Sequence, residues 1–529
     1  MKQIYATQKM RIKIKICRKK MIGMLINSIL FFLFTSIMVI GQEDPYRRIE
    51  LGSTAGYGTR VQEYKVPEGF PQFEVRTRFI GNIRGTWYEM GLQYGKRAGD
   101  LIRYVYDYWL KNAIERFGLE HLKEDLTRYA KEIDLYSPEM TKFLKGIAEG
   151  ASEDLHKSPY KEKLNDFEKI ILINVSPPLN WMHPKSEFHK GKTTPMPKKN
   201  SMHISSASKE ICLSCTGTAL CGKPRISPKG ELPSPTRNGV TIITQNMDAG
   251  YAPWAWNVAY VATPSDPEAN VFWSISTAGM AGGNNMVINN KGLGLGLYTG
   301  GQSDDPDDFG IVWQPLYVYT IAYANNAREA IELLTQGSPE YRTKTGRKIV
   351  RHAGRWGYMV ADPDEVAMVE VTSHRYAVRY PGETNEKGNY IVYANFYRTN
   401  HYFNENNVKI EKPIGTVKSS SKERYYTFDW HIKYHFGDLD ICSTKEMLGM
   451  RFYYDKDTGR RIEFLEDGVT PLHLTKHTPN YNKNDTTGTV WASCAILRKD
   501  GKTEIWWTKG NPADWLGPWQ HTDFAGYGK

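Results

Sequence analysis

The chain has 529 residues, 40% of them hydrophobic and 12% aromatic, which is enough to bury one large core or two ordinary ones. This composition excludes a low-complexity or disordered chain. The formal net charge is +11, but eight Lys and Arg residues lie between Lys2 and Lys20. Subtracting these eight leaves a charge near +3, so we expect no nucleic-acid partner.

The first 41 residues have the layout of a secretory signal peptide. The basic start is followed by an apolar run from Met24 to Ile40 and by the small residue Gly41. We therefore predict residues 1–41 to be a leader that is removed, leaving a secreted or periplasmic protein with no stable membrane partner. The alternative is an uncleaved membrane anchor, because the apolar run is long enough for a thin membrane span.

Cysteine usage predicts a free thiol. Of the six cysteines, Cys17 leaves with the leader. An odd number remains, which in an exported protein indicates at least one unpaired thiol. Five cysteines are also too few for a disulfide-built scaffold. The five are Cys212, Cys215, Cys221, Cys442 and Cys494.

The N-terminal half reads as helical. Apolar residues recur at helical spacing from Trp87 to Phe117, and Gly118 stops this helix. Helical patterns continue from Leu122 to Ala148. A further apolar segment, Phe167–Val175, is expected to be stopped by the proline pair at 177–178.

After a polar, basic loop from His183 to Ser208 the pattern changes to strands. A second polar loop runs from Lys223 to Asn238. Short apolar or alternating runs predict strands at Val240–Thr244, Val258–Thr263, Val271–Thr277, Met286–Ile288, Leu293–Leu297, Gly357–Val360, Val366–Thr372, Tyr376–Arg379 and Tyr390–Tyr393. Helices are predicted at Pro315–Tyr323, Ala327–Leu334 and Glu423–Tyr434, and a hairpin at Trp491–Arg498 and Thr503–Thr508. Helices, then strands, helices and strands again favour an α+β fold over alternating βαβ units.

Cys215, which precedes a run of small residues, is the candidate nucleophile. A thiol that attacks an amide needs a base to form the thiolate and donors to stabilise the oxyanion. If the chain cuts itself before Cys215, the freed α-amino group, with an ordinary pKa of about 7.7–8.0, can act as that base. Asp248 offers a carboxylate to orient the amine. Side-chain amides that could donate to the oxyanion belong to Gln245, Asn246, Asn395 and Asn400.

Several short motifs occur in a fixed order and carry a family resemblance. They are Gly85-Thr-Trp-Tyr-Glu-Met-Gly-Leu-Gln-Tyr-Gly-Lys96, Gly146-Ile-Ala-Glu-Gly150, Cys215-Thr-Gly-Thr-Ala, Gln245-Asn-Met-Asp248, Asn289-Asn-Lys-Gly-Leu293, Ala394-Asn-Phe or Thr399-Asn-His401, and Ser420-Ser-Lys-Glu-Arg424. Together they resemble the acyl-coenzyme A:6-aminopenicillanic acid acyltransferase family. These are autoproteolytic N-terminal nucleophile enzymes related to choloylglycine hydrolases.

The resemblance spans about residues 75–515 and implies an α+β fold, a four-layer αββα sandwich. It implies cleavage between Ser214 and Cys215, with Cys215 as both the self-cleaving and the catalytic thiol. The fragments 42–214 and 215–529 would stay associated in one domain. The implied reaction is hydrolysis or acyl transfer at a linear C–N amide bond of a small acyl-amide substrate, through a thioester and without a cofactor.

The resemblance also implies roles for the other residues. Asp248 would hold the α-amino group. Gln245 falls where choloylglycine hydrolases have an arginine and where the acyltransferases tolerate glutamine. Asn395 would match the oxyanion-stabilising asparagine, although Asn400 lies in a better match to the family's Thr-Asn-His motif. Arg424 would match an arginine of the site.

Two choices stay open between neighbouring candidates, and two other functions compete. Cys212 lies three residues before Cys215, which we favour because Thr-Gly-Thr-Ala follows it; Asn395 and Asn400 remain alternatives. A phospholipase B-like lipid hydrolase could use the same scaffold. A non-catalytic exported binding protein could use the 14 Trp and 33 Tyr as a contact surface.

No metal site is expected. The pairs His431/His435 and His473/His477 have helical i, i+4 spacing but lack the Glu that a zinc-protease motif requires. The acidic segment Asp304–Asp308 lacks the alternate spacing of a calcium loop, and we interpret it as a solvated loop.

Overall fold

The structure is a computed structural model. It describes residues 76–182, 214–250, 256–283, 286–300, 305, 308–384, 386–395, 398, 419–450, 453–455, 460–462, 487–508 and 519–525. The predicted leader (1–41), Cys212, Asn400 and the pair His473/His477 lie outside the described residues. Within those ranges no helix is both long and apolar enough to cross a membrane.

The helices are α1 Trp87–Phe117, α2 Leu119–Tyr136, α3 Pro138–Leu155, α4 Asp166–Met182, α5 Trp313–Tyr323, α6 Ala327–Thr335, α7 Pro339–Thr345, α8 Ser419–Tyr434 and α9 Ile441–Leu448. Helix α1 confirms its prediction residue for residue. Thr86 and Glu89 form a capping box at its start, and Gly118 caps its end.

One predicted helical region is confirmed but divided at a proline, and the predicted stop of another helix at its proline pair was wrong. The region Leu122–Ala148 is divided between α2 and α3, because Pro138 occupies the first turn of a new helix capped by Ser137. Helix α4 instead continues through its proline pair to Met182. Pro177 has no N–H for the carbonyl of Ile173, and the hydroxyl of Ser176 donates to that carbonyl at 2.9 Å.

Helices α1 and α3 pack closely through glycines that the sequence motifs contain. Gly91 and Gly95 on α1 face Gly146 and Gly150 on α3. A Cβ added at Gly91 or at Gly146 would lie 2.1 Å from a backbone oxygen of the facing helix. Glycine is therefore needed at these positions for helix packing, independently of any catalytic role.

The strands are β1 Arg76–Gly85, β2 Ser214–Leu220, β3 Arg225–Ser227, β4 Gly230–Leu232, β5 Thr241–Gly250, β6 Trp256–Pro264, β7 Phe272–Thr277, β8 Met286–Asn289, β9 Gly294–Thr299, β10 Trp356–Ala361, β11 Val366–Val371, β12 Tyr376–Arg379, β13 Tyr390–Tyr393, β14 Tyr453–Asp455, β15 Arg460–Ile462, β16 Thr487–Leu497, β17 Glu504–Thr508 and β18 Trp519–Asp523. Every predicted strand is found. β5 extends six residues beyond its predicted end, and the predicted loop Lys223–Asn238 contains the short hairpin β3–β4.

Two large sheets form the centre of the molecule. One has eight strands in the order β1-β6-β7-β8-β9-β10-β11-β12, and the other has six in the order β13-β2-β5-β16-β17-β18. The pairing of β1 with β6 is parallel, whereas the other pairings within these sheets are antiparallel. This mixed architecture of helices and large sheets agrees with the predicted α+β class.

The two sheets contact each other through β2 and β5 on one side and β9 and β10 on the other. Helices α1, α5 and α6 pack on the eight-stranded sheet, and α8 and α9 pack on the six-stranded sheet. The largest apolar cluster includes both Cys215 and Met247, while a smaller one joins the six-stranded sheet to α8 and α9. The start of β2 thus lies between the eight-stranded sheet and helix α8.

Candidate active site

The register of β2 and β5 brings the two central sequence motifs together. Ser214 pairs with Asp248, and Cys215 pairs with Met247. Because side chains alternate across a strand, the thiol of Cys215 lies on one face of the sheet and Asp248 on the other. The backbone nitrogen of Cys215 lies between them.

The Cys215 thiol faces the eight-stranded sheet and is buried; the residue is 2% exposed. Its sulfur lies 3.5 Å from the sulfur of Met247. The pKa of the Cys215 thiol is raised to about 12, mainly by burial and also by the negative charge of Asp248, while Arg424 opposes the shift. In the uncut chain the thiol is therefore protonated at neutral pH and needs a base close to it.

Arg424, on helix α8, reaches across the face of the sheet opposite the thiol. Its guanidinium donates to the carbonyl of Cys215 at 2.6 Å and to the hydroxyl of Thr216. It also donates to Asn395 Oδ1 at 3.1 Å and lies 3.6 Å from Asp248 Oδ2. The side chain is 2% exposed, so these polar contacts compensate for the loss of hydration.

Asp248 is a buried carboxylate with two kinds of partner. Thr489, directly opposite on β16, donates its hydroxyl to Asp248 Oδ1 at 2.6 Å. Arg424 supplies the opposite charge. Asp248 therefore has a hydroxyl donor and a cation beside it, at the register position opposite Ser214.

Asn395 follows β13 and has a left-handed backbone, with φ of 63°. Its Oδ1 accepts the N–H of Cys215 at 2.6 Å. Its Nδ2 donates to Thr299 on β9, at 2.7 Å to the hydroxyl and 3.3 Å to the carbonyl. In the uncut chain Asn395 thus contacts the nitrogen of Cys215 through its acceptor atom.

Gln245 lies on the thiol's face of β5, opposite Gly217. Its Oε1 accepts the N–H of Leu297 at 3.0 Å, and its Nε2 donates to the carbonyl of the same residue. A hydrogen bond from Gln245 also lowers the pKa of the Cys215 thiol, although burial dominates. Gln245 therefore joins the two sheets beside the thiol.

The structure brings Asp248, Asn395 and Arg424 together beside the backbone of Cys215, with Gln245 on the thiol's side of the sheet. Asn246, the fourth amide considered from sequence, points toward α9 and donates to the carbonyl of Leu448 at 2.9 Å. Sequence reasoning missed three threonines that complete the hydrogen bonding, Thr216, Thr299 and Thr489. Only Thr216 had a signal, because it directly follows Cys215.

Three other cysteines and the pair His431/His435 lie within the described residues. Among the described residues Cys221 and Cys494 are buried, Cys442 is exposed, and none of the four described cysteines is in a disulfide. His431 packs against His435, with its Nε2 3.1 Å from the carbonyl of Ser443. In the part of the chain that the structure describes, no group of three His, Cys, Asp or Glu side chains is placed to hold a metal.

No known protein family and no curated protein sequence matches this chain. Among solved structures, it is similar to a mutant conjugated bile acid hydrolase from Clostridium perfringens, with a TM-score of 0.32 and 13% identity over 59% of this chain and 92% of that one. It is also similar to penicillin V acylase from Agrobacterium tumefaciens, with a TM-score of 0.33 and 12% identity over 59% of this chain and 87% of that one. Because these scores are low, the function is argued from the site itself.

Proposed function

We propose that this protein is a cysteine amidohydrolase or acyltransferase that makes its own catalyst by cleaving the bond between Ser214 and Cys215. The observation that carries the proposal is that Asn395, Asp248 and Arg424 form one connected group of polar side chains beside the backbone of Cys215. Asn395 accepts from the nitrogen of Cys215, and Asp248 and Arg424 lie on the adjacent face of the sheet. An ordinary backbone N–H inside a sheet does not need such surroundings, whereas a catalytic amine does.

In the proposed self-cleavage the sulfur of Cys215 bonds to the carbonyl carbon of Ser214. The bond from that carbon to the Cys215 nitrogen breaks, and the thiol proton is transferred to the departing nitrogen. Water then hydrolyses the thioester, which leaves a carboxylate on Ser214 and a free thiol on Cys215. The new α-amino group starts strand β2 and keeps Asn395 Oδ1 as its acceptor.

The freed amine supplies the base that the buried thiol lacks. Its ordinary pKa of about 7.7–8.0 lies near neutral pH, whereas burial raises that of the thiol to about 12. Asp248 favours the protonated amine, and Arg424 favours the neutral one. The opposing effects of Asp248 and Arg424 therefore allow both the protonated and the neutral amine, the two states that a group transferring a proton must adopt.

For turnover, the thiol attacks the acyl carbonyl of an amide substrate, and the amine takes the thiol proton and returns it to the leaving nitrogen. The resulting thioester is released to water or to an acceptor amine. Asn395 together with backbone N–H groups remains our assignment for the oxyanion donors. Export by the leader and the four-layer αββα order also belong to this proposal; the contacts of α1, α5 and α6 with one sheet and of α8 and α9 with the other support that order.

Intact-mass analysis tests the self-cleavage. The wild-type protein should give a C-terminal fragment that begins at Cys215, and Cys215→Ala should leave one chain. The matched control is Cys221→Ala, which removes a buried cysteine directly after the end of β2. It should cleave normally, as should Cys212→Ala. A wild-type chain that stays whole while hydrolysing amides would refute self-cleavage.

Chromogenic substrates test the bond that is cut. Release of nitroaniline from acyl nitroanilides, lost in Cys215→Ala, would support the amidohydrolase. Activity confined to fatty-acid esters would favour the lipid hydrolase instead. A Cys215 that reacts with no thiol probe in the folded protein would favour a binding protein without catalysis.

A further inference from the structure

A buried charged cluster lies behind Asn395, on the edge of the eight-stranded sheet. Glu370 on β11 and Arg379 on β12 are fully buried. β11 pairs with β12 so that Met368 is opposite Arg379 and Ala377 is opposite Glu370. Both charged side chains therefore project from the same face of the sheet edge.

Arg379 reaches out of its own sheet to the edge strand of the other. Its guanidinium donates to the carbonyl of Val392, on β13, at 3.2 Å. The same guanidinium donates to Glu386 at 2.7 Å, in an ion pair whose side chains are 1% and 0% exposed. Val392 lies three residues before Asn395, so this contact fixes the backbone on the near side of the site.

Glu370 holds the backbone on the far side. Its Oε1 accepts the N–H of Arg398, three residues after Asn395, at 2.9 Å. The guanidinium of Arg398 lies 4.8 Å from the ring centre of Tyr425, which follows Arg424 on helix α8. The cluster is thus connected to both side chains that contact the carbonyl or nitrogen of Cys215.

The conformation of Asn395 shows why such tethers are needed. A left-handed backbone at a residue other than glycine is uncommon and is maintained by its surroundings. In that conformation the Oδ1 atom of Asn395 accepts the N–H of Cys215. Burying three charged side chains at a sheet edge is costly unless they are paired, and here two of them contact the backbone beside Asn395.

We propose that Glu370 and Arg379 are positioning residues that clamp the chain on both sides of Asn395 and so place its side chain against the nitrogen of Cys215. Their effect on catalysis rests on the proposed function, but their effect on the geometry does not. Glu386 serves as the counter-charge that allows Arg379 to be buried.

Three variants separate positioning from folding. Glu370→Met removes the acceptor for the Arg398 N–H, whereas Glu370→Gln keeps an acceptor oxygen at the same place. The double variant Arg379→Met/Glu386→Met removes the tether to Val392 without leaving an unpaired charge, an exchange that buried ion pairs often tolerate. The control is the double variant Glu132→Met/Arg347→Met, which removes an ion pair on the helical side of the molecule.

The first measurement is independent of catalysis. In a Cys215→Ala background, where the chain stays whole, hydrogen exchange at the amide of residue 215 reports its bond to Asn395. We expect exchange at least tenfold faster in Glu370→Met and in Arg379→Met/Glu386→Met, with wild-type protection in Glu370→Gln and in the control. Unchanged protection in either folded clamp variant overturns the proposal.

The second measurement uses the active protein. If the proposed function holds, both clamp variants should self-cleave about 100-fold more slowly, since small displacements of a reacting group cost that much, and Glu370→Gln should restore the rate. Wild-type rates in the folded clamp variants overturn the proposal. If the wild-type protein neither self-cleaves nor hydrolyses amides, the proposed function fails, and the exchange measurement alone decides the positioning. Should Glu370→Met not fold, the double variant decides.

Discussion

The buried pair of Arg424 and Asp248 gives the most decisive prediction for the site. Their closest nitrogen–oxygen distance is 3.6 Å, and the two side chains are 2% and 1% exposed. Removing one partner of such a pair strands a buried charge and costs about 3–5 kcal/mol. We therefore expect Arg424→Met to destabilise the protein by about that amount.

The double variant shows whether the pair itself is responsible. Arg424→Met/Asp248→Asn removes both charges, so its loss of stability should be smaller than the sum of the two single losses by at least about 2 kcal/mol. Arg424→Lys keeps the charge but loses the planar guanidinium that contacts both Cys215 and Asn395. Its free energy of unfolding should therefore lie between those of the wild type and Arg424→Met.

Urea unfolding followed by tryptophan fluorescence measures these differences, in a Cys215→Ala background so that every variant is one intact chain. Arg78→Met is the control, because the ion pair of Arg78 with Asp100 is exposed at 39% and 47% and should contribute less than about 1 kcal/mol. Strictly additive losses in Arg424→Met and Asp248→Asn would refute the reasoning, because the two charges would then not interact.

Three further predictions concern other parts of the molecule. Burial lowers the pKa of His352 to about 3. Between pH 6.5 and 3 the unfolded chain therefore binds a proton that the folded chain does not, so stability falls as the pH falls. Urea titrations at pH 7 and pH 4.5 should show that the wild-type protein loses about 3 kcal/mol more stability than His352→Gln. In the folded protein at pH 7.5, iodoacetamide should label the exposed Cys442 and leave Cys494 unmodified, because burial raises the pKa of Cys494 far above its usual value. Peptide mapping that finds Cys494 labelled first would contradict its buried position. Gly146→Ala should destabilise the protein by about 3 kcal/mol, since its Cβ would lie 2.1 Å from a backbone oxygen of α1, whereas Lys142→Ala on the exposed face of the same helix should be nearly neutral in thermal melts.

The secondary structure could be predicted from sequence wherever burial imposed a period. Helix α1 and the strands from β6 to β13 follow apolar patterns of about 3.6 or 2 residues, because each presents a face to a core. Strand β1, which pairs in parallel with β6, was missed, since Arg76–Gly85 alternates too weakly to stand out. The continuation of α4 past Pro177 was also beyond pattern reasoning, because it depends on one serine hydroxyl that replaces a missing donor.

The site could be predicted only in part, because its members are distant in sequence. Cys215, Asp248 and Arg424 carry chemistry that motifs can mark, and the structure brings them together. The hydroxyl partner of Asp248 could not be found in this way. Thr489 lies opposite Asp248 because β16 pairs with β5 in one particular register. In the sequence, a threonine within a strand gives no sign of such a role.

Gln245 shows how the choice of one side chain affects the electrostatics beside the thiol. Its amide both accepts from and donates to the backbone of Leu297. An arginine, which has donors only, could not accept the Leu297 N–H. The side chain at position 245 therefore joins the two sheets and adds no charge beside the thiol. Arg424 is then the cation that lowers the pKa of the thiol, against burial and Asp248 that raise it to about 12. A thiol so weakly favoured as a thiolate depends on a base that takes its proton during attack, which is the part we assign to the freed amine of Cys215.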